Sequence, residues 1–145
     1  MKPLPYSRQE INDADVAAVT NAMRALHLTQ GPLVDRFEEA LAQAVGARFA
    51  VAFNSGTAAL HAAYASAGVG PGSGVLTSPI TFVATANAAL YLGGAVRFAD
   101  VDPRSGLIDP DTGDSGDSAV KVLTPVHFGG EVADLAALGA IADAR

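Results

Sequence analysis

The 145-residue chain contains no cysteine and no tryptophan. Without thiols there is no disulfide framework, no thiolate nucleophile and no cysteine-based zinc site. Basic side chains are scarce, nine against fifteen acidic ones, for a net charge of −6. No basic run occurs, which argues against a nucleic-acid surface. No apolar run reaches the ~18 residues of a membrane span. The start, Met1-Lys2-Pro3-Leu4-Pro5, has no apolar signal core. These absences predict a soluble, cytoplasmic protein with neither membrane nor nucleic acid as partner. His27, His61 and His127 lack the paired spacing of metal ligands, so no metal is expected. No G-x-S-x-G elbow supplies a hydrolase nucleophile. Nothing repeats internally.

What is present is apolar: half of the residues are hydrophobic, enough for the core of one ordinary domain. The most informative stretch is Phe53-Asn54-Ser55-Gly56-Thr57-Ala58-Ala59-Leu60-His61. A β-rich run, Phe49-Ala50-Val51-Ala52-Phe53, empties into a small polar turn, and an Ala-rich helix starts at once. Such a turn presents unpaired N–H groups, two hydroxyls and the positive end of a helix, with no bulky side chain in the way. That is an anion cradle suited to a phosphate. The plainer alternative is a helix cap, in which Ser55 or Thr57 only satisfies a backbone donor.

Periodicity and punctuation outline the rest. Asn12-Asp13-Ala14-Asp15 is N-cap material for a helix over 12–28, with Val16, Val19, Met23 and Leu26 at helical spacing. After the Gly31-Pro32 break, a helix over 33–45 lines up Val34, Phe37, Leu41 and Val45 and stops at Gly46. Strands and helices then alternate: strand 49–53, helix 57–67, strand 74–77, helix 81–92, strand 95–99, strand 119–126 and a last helix from near Asp134. A Gly/Asp-rich loop occupies 102–118. This alternation predicts an α/β fold, a mostly parallel sheet with helices on both faces. Ligands in such sheets bind at the carboxyl ends of the strands. Asn54-Ser55-Gly56-Thr57, Ser78-Pro79-Ile80-Thr81-Phe82 and Pro125-Val126-His127 all fall at such ends. The chain reads as a helical segment over 1–46 followed by an α/β region over 47–145.

Other signals fail on spacing. Gly68, Gly70, Gly72 and Gly74 do not make G-x-G-x-x-G and run from helix into strand, which excludes a dinucleotide fingerprint. In Asp109-Pro110-Asp111-Thr112-Gly113-Asp114 the glycine is misplaced for an EF-hand and no Glu follows at the twelfth position. A solvated turn is expected there. His61, inside a helix, reads as a packing or surface residue.

Taken together, Leu28-Thr29-Gln30-Gly31-Pro32 with Phe37-Glu38, Asn54 to Leu60, Thr81-Phe82-Val83-Ala84-Thr85-Ala86-Asn87, Phe98-Ala99-Asp100-Val101-Asp102-Pro103 and Pro125-Val126-His127-Phe128-Gly129-Gly130 resemble one family in order and spacing. It is the DegT/DnrJ/EryC1/StrS family of nucleotide-sugar aminotransferases, fold-type-I enzymes dependent on pyridoxal phosphate (PLP). The resemblance runs from Pro5 to the end. Ser78 to Asn87, with Pro5-Tyr6-Ser7, looks most like the pseudaminic-acid branch. That branch aminates C4 of a UDP-linked 4-keto-6-deoxy-N-acetyl hexosamine with glutamate as donor. The resemblance implies that Ser55, Gly56 and Thr57 hold the cofactor phosphate and that Phe82 stacks on the pyridine ring, against the alternative of an ordinary core aromatic. It brings His127 to the rim near cofactor or substrate, and Tyr6 and Thr29 toward the sugar nucleotide. Asp100 and Asp102 read as strand-exit turn residues. A homodimer is implied, because family active sites are completed by the partner subunit.

One departure stands out. Transamination needs a lysine that forms the cofactor imine and moves protons, and an acid facing the pyridine nitrogen. Neither Lys2 nor Lys121, the only lysines, matches the family position. The chain therefore reads as the truncated first part of a fold-type-I large domain, with the catalytic lysine beyond its end and no activity alone. Strand 49–53 would lack its sheet neighbours, and the isolated chain is expected to fold poorly, or only with a partner that supplies the rest. A histidine at the absent lysine position would make the intact enzyme a sugar 3-dehydratase instead. A non-catalytic phosphate-binding remnant is the other alternative. The loop 104–118, where relatives carry a short helix, is expected to have little local order.

Overall fold

A computed structural model describes residue 5 and residues 7–113 and 116–144. The chain divides into two compact units, Met1–Ala52 and Phe53–Arg145.

Among its described residues the first unit holds two helices. Helix α1 (Asp13–Met23) starts from a capping box: Asn12 accepts from the Ala14 and Asp15 backbones, and the Asp15 carboxylate takes the Asn12 N–H. It ends at Met23, short of the expected 28, and none of its residues is buried. No apolar face is packed to extend it, so propensity alone sets its length. Helix α2 (Pro32–Val45) has Pro at its first position and ends on Gly46 at φ 67°, a left-handed cap that a Cβ would strain. Glu38 reaches from α2 to the Ala52 N–H at 2.7 Å and pins the exit of the unit.

The second unit is a three-stranded parallel sheet in the order β2 (Ala95–Phe98), β1 (Gly74–Thr77), β3 (Val120–Thr124). Three helices accompany it: α3 (Gly56–Ser66), α4 (Ala84–Tyr91) and α5 (Leu135–Asp143). Every residue of β1 is buried, and its alternating side chains enter two different cores. Val75 packs with Tyr64, Val69, Ala88 and Ala89. Leu76 packs with Ala99, Leu107, Ile108, Ala133 and Leu138. The sheet is thus covered on both faces, as alternation predicts for parallel strands. Lys121 falls out of register on β3, since Gly74 pairs with Val120 and Val75 with Val122. At the start of β1 the backbones crowd: a Cβ on Gly74 would lie 2.3 Å from the Ala95 carbonyl oxygen.

Three expectations are corrected. The segment 49–53 joins no ladder among the described residues. Phe49 and Val51 are exposed, and with no strand beside it, β propensity alone does not make a strand. The helix expected at 81 begins at 84, because Ser78 to Val83 form a turn held by a Ser78 hydroxyl donating to the Ile80 carbonyl (3.0 Å). The loop 104–118 is anchored where it is described: Val101 bridges Ile108, Leu107 and Ile108 are buried, and a 3-10 turn forms over Pro110–Thr112.

Candidate functional site

The connections of the second unit fix which residues share an edge. Helix α3 ends at Ser66 and reaches the amino end of β1 through the turn 67–73, so its amino end lies toward the strands' carboxyl ends. The turn 78–83, with Phe82, leaves the carboxyl end of β1. His127 follows the carboxyl end of the adjacent β3. Ser55, Gly56, Thr57, Phe82 and His127 therefore sit on one rim, where ligands of parallel α/β sheets bind.

Ser55 caps α3, its Oγ accepting from the Ala58 N–H at 3.1 Å, so the expected cap is real. It does not use up the turn. The Gly56 and Thr57 N–H groups and the Thr57 hydroxyl meet no acceptor among the described residues. Nothing lies within 4 Å of where a Gly56 Cβ would stand, which leaves the approach open. The cap takes the third N–H of the helix and leaves the first two open to an acceptor from outside the chain.

Phe82 is 75% exposed, which overturns the alternative of a core aromatic. Its carbonyl accepts from the Thr85 N–H at 3.0 Å, so the backbone beneath the ring is fixed. His127 is exposed, and its Nδ1 accepts from the Ala133 N–H at 3.1 Å. In the neutral ring this bond sets the tautomer and leaves Nε2–H as a donor.

The chemistry of this donor set fits a phosphorylated aromatic ring: uncommitted N–H and O–H donors at a helix start, a bare flat face and a ring N–H. Lys121 does not join it. It lies near the amino end of β3, with its Nζ 3.9 Å from a Cβ built on Gly68 in the turn opposite the rim. Thr29, exposed, belongs to the first unit. Tyr6 lies outside the described residues.

Asp100 and Asp102 are turn residues, as read from the sequence. Asp100 accepts from the Val101 N–H. Asp102 Oδ1 accepts from the Ser105 and Arg104 N–H groups, both at 2.9 Å. Those bonds, Ser105 first, hold its carboxyl below the ordinary carboxylate range. Asp109 likewise accepts from the Asp111 N–H in the acidic turn. No group of three or more potential metal ligands assembles among the described residues. No helix among them is long and apolar enough to cross a membrane. Among the described residues, two clefts lie away from the rim: about 320 Å³ beside Glu38, Arg48 and Phe49 in the first unit, and about 470 Å³ beside Asp102, Arg104 and Glu131 in the second. The rim is an open face, and the strand-end chemistry outweighs concavity in locating the site.

Sequence reading missed the hydroxyls behind the rim. Tyr64, 2% exposed, donates to the Thr85 carbonyl at 3.1 Å and pairs with the Thr124 hydroxyl at 3.0 Å. Thr77 donates to the Thr124 carbonyl at 2.8 Å, and Thr81 and Thr85 pair through their hydroxyls at 2.7 Å. The signal was there: Tyr64 is the one large aromatic in an Ala-rich helix, seven residues after Thr57 and so on the same face.

The fold and its rim define a class, the parallel α/β domains that take ligands at the carboxyl ends of their strands. Within that class the chain belongs to the DegT/DnrJ/EryC1/StrS aminotransferase family, which it matches over residues 9–145. It is 42% identical over 140 residues to the spore coat polysaccharide biosynthesis protein SpsC of Bacillus subtilis, covering 96% of this chain and 36% of that protein. It is 39% identical over 136 residues to the UDP-4-amino-4,6-dideoxy-N-acetyl-beta-L-altrosamine transaminase of Campylobacter jejuni, covering 91% and 36%. Among solved structures, the PLP form of a putative sugar aminotransferase from Streptococcus pneumoniae superposes with a TM-score of 0.89 at 27% identity, over 95% of this chain and 36% of that one. Helicobacter pylori PseC, an aminotransferase involved in the biosynthesis of pseudoaminic acid, gives 0.88 at 29% identity, over 99% and 39%. The chain spans about a third of the length of the curated relatives it matches.

Proposed function

We propose that this chain forms the phosphate and ring seat of a PLP-dependent sugar-nucleotide aminotransferase. The observation that carries the reading is the shared rim: uncommitted donors at Gly56 and Thr57, an exposed Phe82 and an outward His127 at the carboxyl ends of adjacent parallel strands. The family match and the PLP-form neighbour support it. When bound, PLP supplies the electron sink through which an amino group passes from glutamate to a sugar ketone.

The protein's own part is binding and orientation. Gly56 and Thr57 N–H groups and the Thr57 hydroxyl hold the phosphate, helped by the positive end of α3. Ser55 keeps that turn shaped and retains a hydroxyl proton to donate. Phe82 covers one ring face and excludes water from it. His127 donates from Nε2 toward cofactor or substrate. Lys121 has no role in the chemistry. The likeness to the altrosamine transaminase favours a UDP-linked 4-keto-6-deoxy-N-acetyl hexosamine as amino acceptor. We place the enzyme in the cytoplasm as a homodimer, with 1–46 as a helical segment and 47–145 as the cofactor-binding part.

Titration of the purified chain with pyridoxamine phosphate, followed by ligand fluorescence, tests the seat without requiring any lysine. Saturable binding, competed by inorganic phosphate and weakened several-fold by Phe82→Ala, is expected. No saturable binding up to millimolar ligand, by a chain whose far-ultraviolet circular dichroism and cooperative melt show it folded, would overturn the proposal.

A further inference from the structure

The seat is assembled from three separate elements, and one buried oxygen touches the support of each. Resting on the cofactor-seat reading above, we propose that the Tyr64 hydroxyl is a positioning group. It sets the phosphate-binding end of α3 against the ring-covering Phe82 turn and the exit of β3.

The bonds trace the connection. Thr57 and Tyr64 share one face of α3, about two turns or ~10 Å apart, so fixing one fixes the azimuth of the other. The Tyr64 hydroxyl donates to the Thr85 carbonyl, and the Thr85 N–H donates to the Phe82 carbonyl. The same hydroxyl pairs with Thr124, the last residue of β3, three residues before His127. A phenol has one proton and a carbonyl can only accept, so Thr124 provides the proton of the second bond. Its own carbonyl is tied to the Thr77 hydroxyl at the end of β1. Helix, turn and strand end thus share a single node. The ring of Tyr64 fills the core with Val69, Val75, Ala88 and Ala89, while only its oxygen spans the three elements. A leucine or phenylalanine would serve packing alone and leave the Thr85 and Thr124 groups without this partner.

Tyr64→Phe removes that oxygen and little else. In the purified chain, pyridoxamine phosphate affinity is expected to fall about 5- to 10-fold. The induced circular dichroism of the bound ligand at saturation should fall by half or more, because ring and phosphate are no longer held in one relation. Inorganic phosphate, which uses only the α3 end, should compete with both proteins at affinities within twofold. Thr124→Val, which leaves Tyr64 intact, should lower the saturated ellipticity in the same direction. The inference is overturned if Tyr64→Phe binds pyridoxamine phosphate with wild-type affinity and ellipticity. It is equally overturned if phosphate and pyridoxamine phosphate weaken in parallel with a loss of helical signal, which marks a purely structural role. Failure of the unmutated chain, shown folded by its helical circular dichroism, to bind pyridoxamine phosphate would strike the cofactor-seat reading itself, and this inference with it.

Discussion

Thr57→Val separates the two roles that the turn before α3 can play. The Thr57 hydroxyl has no protein partner among the described residues and the side chain is half-buried, so its removal costs the unliganded fold little, under about 0.5 kcal/mol. Valine keeps the β-branched shape and has a similar helix propensity. What it lacks is a donor to a phosphate. A hydrogen bond to a charged group contributes about 1.5–3 kcal/mol, and each ~1.4 kcal/mol is tenfold in affinity. Pyridoxamine phosphate should therefore bind roughly 10- to 150-fold more weakly. Pyridoxamine without its phosphate should bind wild type and variant equally. Ser55→Ala is the contrast: its 3.1 Å bond to the Ala58 N–H caps the helix, so stability falls by about 1 kcal/mol along with affinity. Fluorescence titration and thermal melts on the same samples read both quantities. If Thr57→Val binds pyridoxamine phosphate within twofold of wild type, the turn is a cap and no more.

Gly74→Ala would put a methyl carbon 2.3 Å from the Ala95 carbonyl oxygen, a backbone atom that cannot swing aside. The β1–β2 ladder must part there, and a loss of more than about 2 kcal/mol in urea unfolding is expected; a shift under 0.5 would contradict the pairing. Asp102 is held below its ordinary value by the Ser105 and Arg104 N–H groups, so its stabilising effect is present above the unfolded-state value near 3.8 and is lost as the pH drops through the lower folded value. Asp102→Asn should flatten the acid limb of the stability profile below pH ~4 and leave neutral pH behaviour to the loss of the carboxylate alone; identical acid limbs would refute it. Lys121→Ala should leave pyridoxamine phosphate affinity unchanged, and borohydride after stoichiometric PLP should not label Lys121 selectively. Selective labelling that disappears in the variant would reassign that lysine.

Periodicity located the elements of the second unit well, because parallel strands buried on both faces read as short apolar runs: 74–77 is β1 to the residue, and Asp134 caps α5 through the Ala137 N–H. It misjudged elements whose partners lie at a distance. Phe49 to Phe53 has strand composition but no ladder, and α1 has a good cap but no packed face to carry it to 28. The donor-rich turn and the exposed aromatic were visible as residue types at strand ends. Their support was not, since the Tyr64–Thr85–Thr124 node joins positions up to sixty residues apart and leaves no local spacing. That the Ser55 cap takes only the Ala58 N–H and leaves those of Gly56 and Thr57 open was also invisible in the sequence, because only geometry distinguishes these N–H groups.

The out-of-step residue on β3 has a consequence for how this strand tolerates change in length. Val120 and Leu123 enter one core and Val122 the other, an arrangement that alternation would produce if Lys121 were not there. Excising Lys121 would leave an even ladder with both cores correctly filled. Excising Val122 would restore the same spacing but put the Lys121 side chain against the Val75 core, and excising Thr124 would remove the hydroxyl that bonds Tyr64. The β3 strand thus holds one dispensable residue at its entrance and none at its exit.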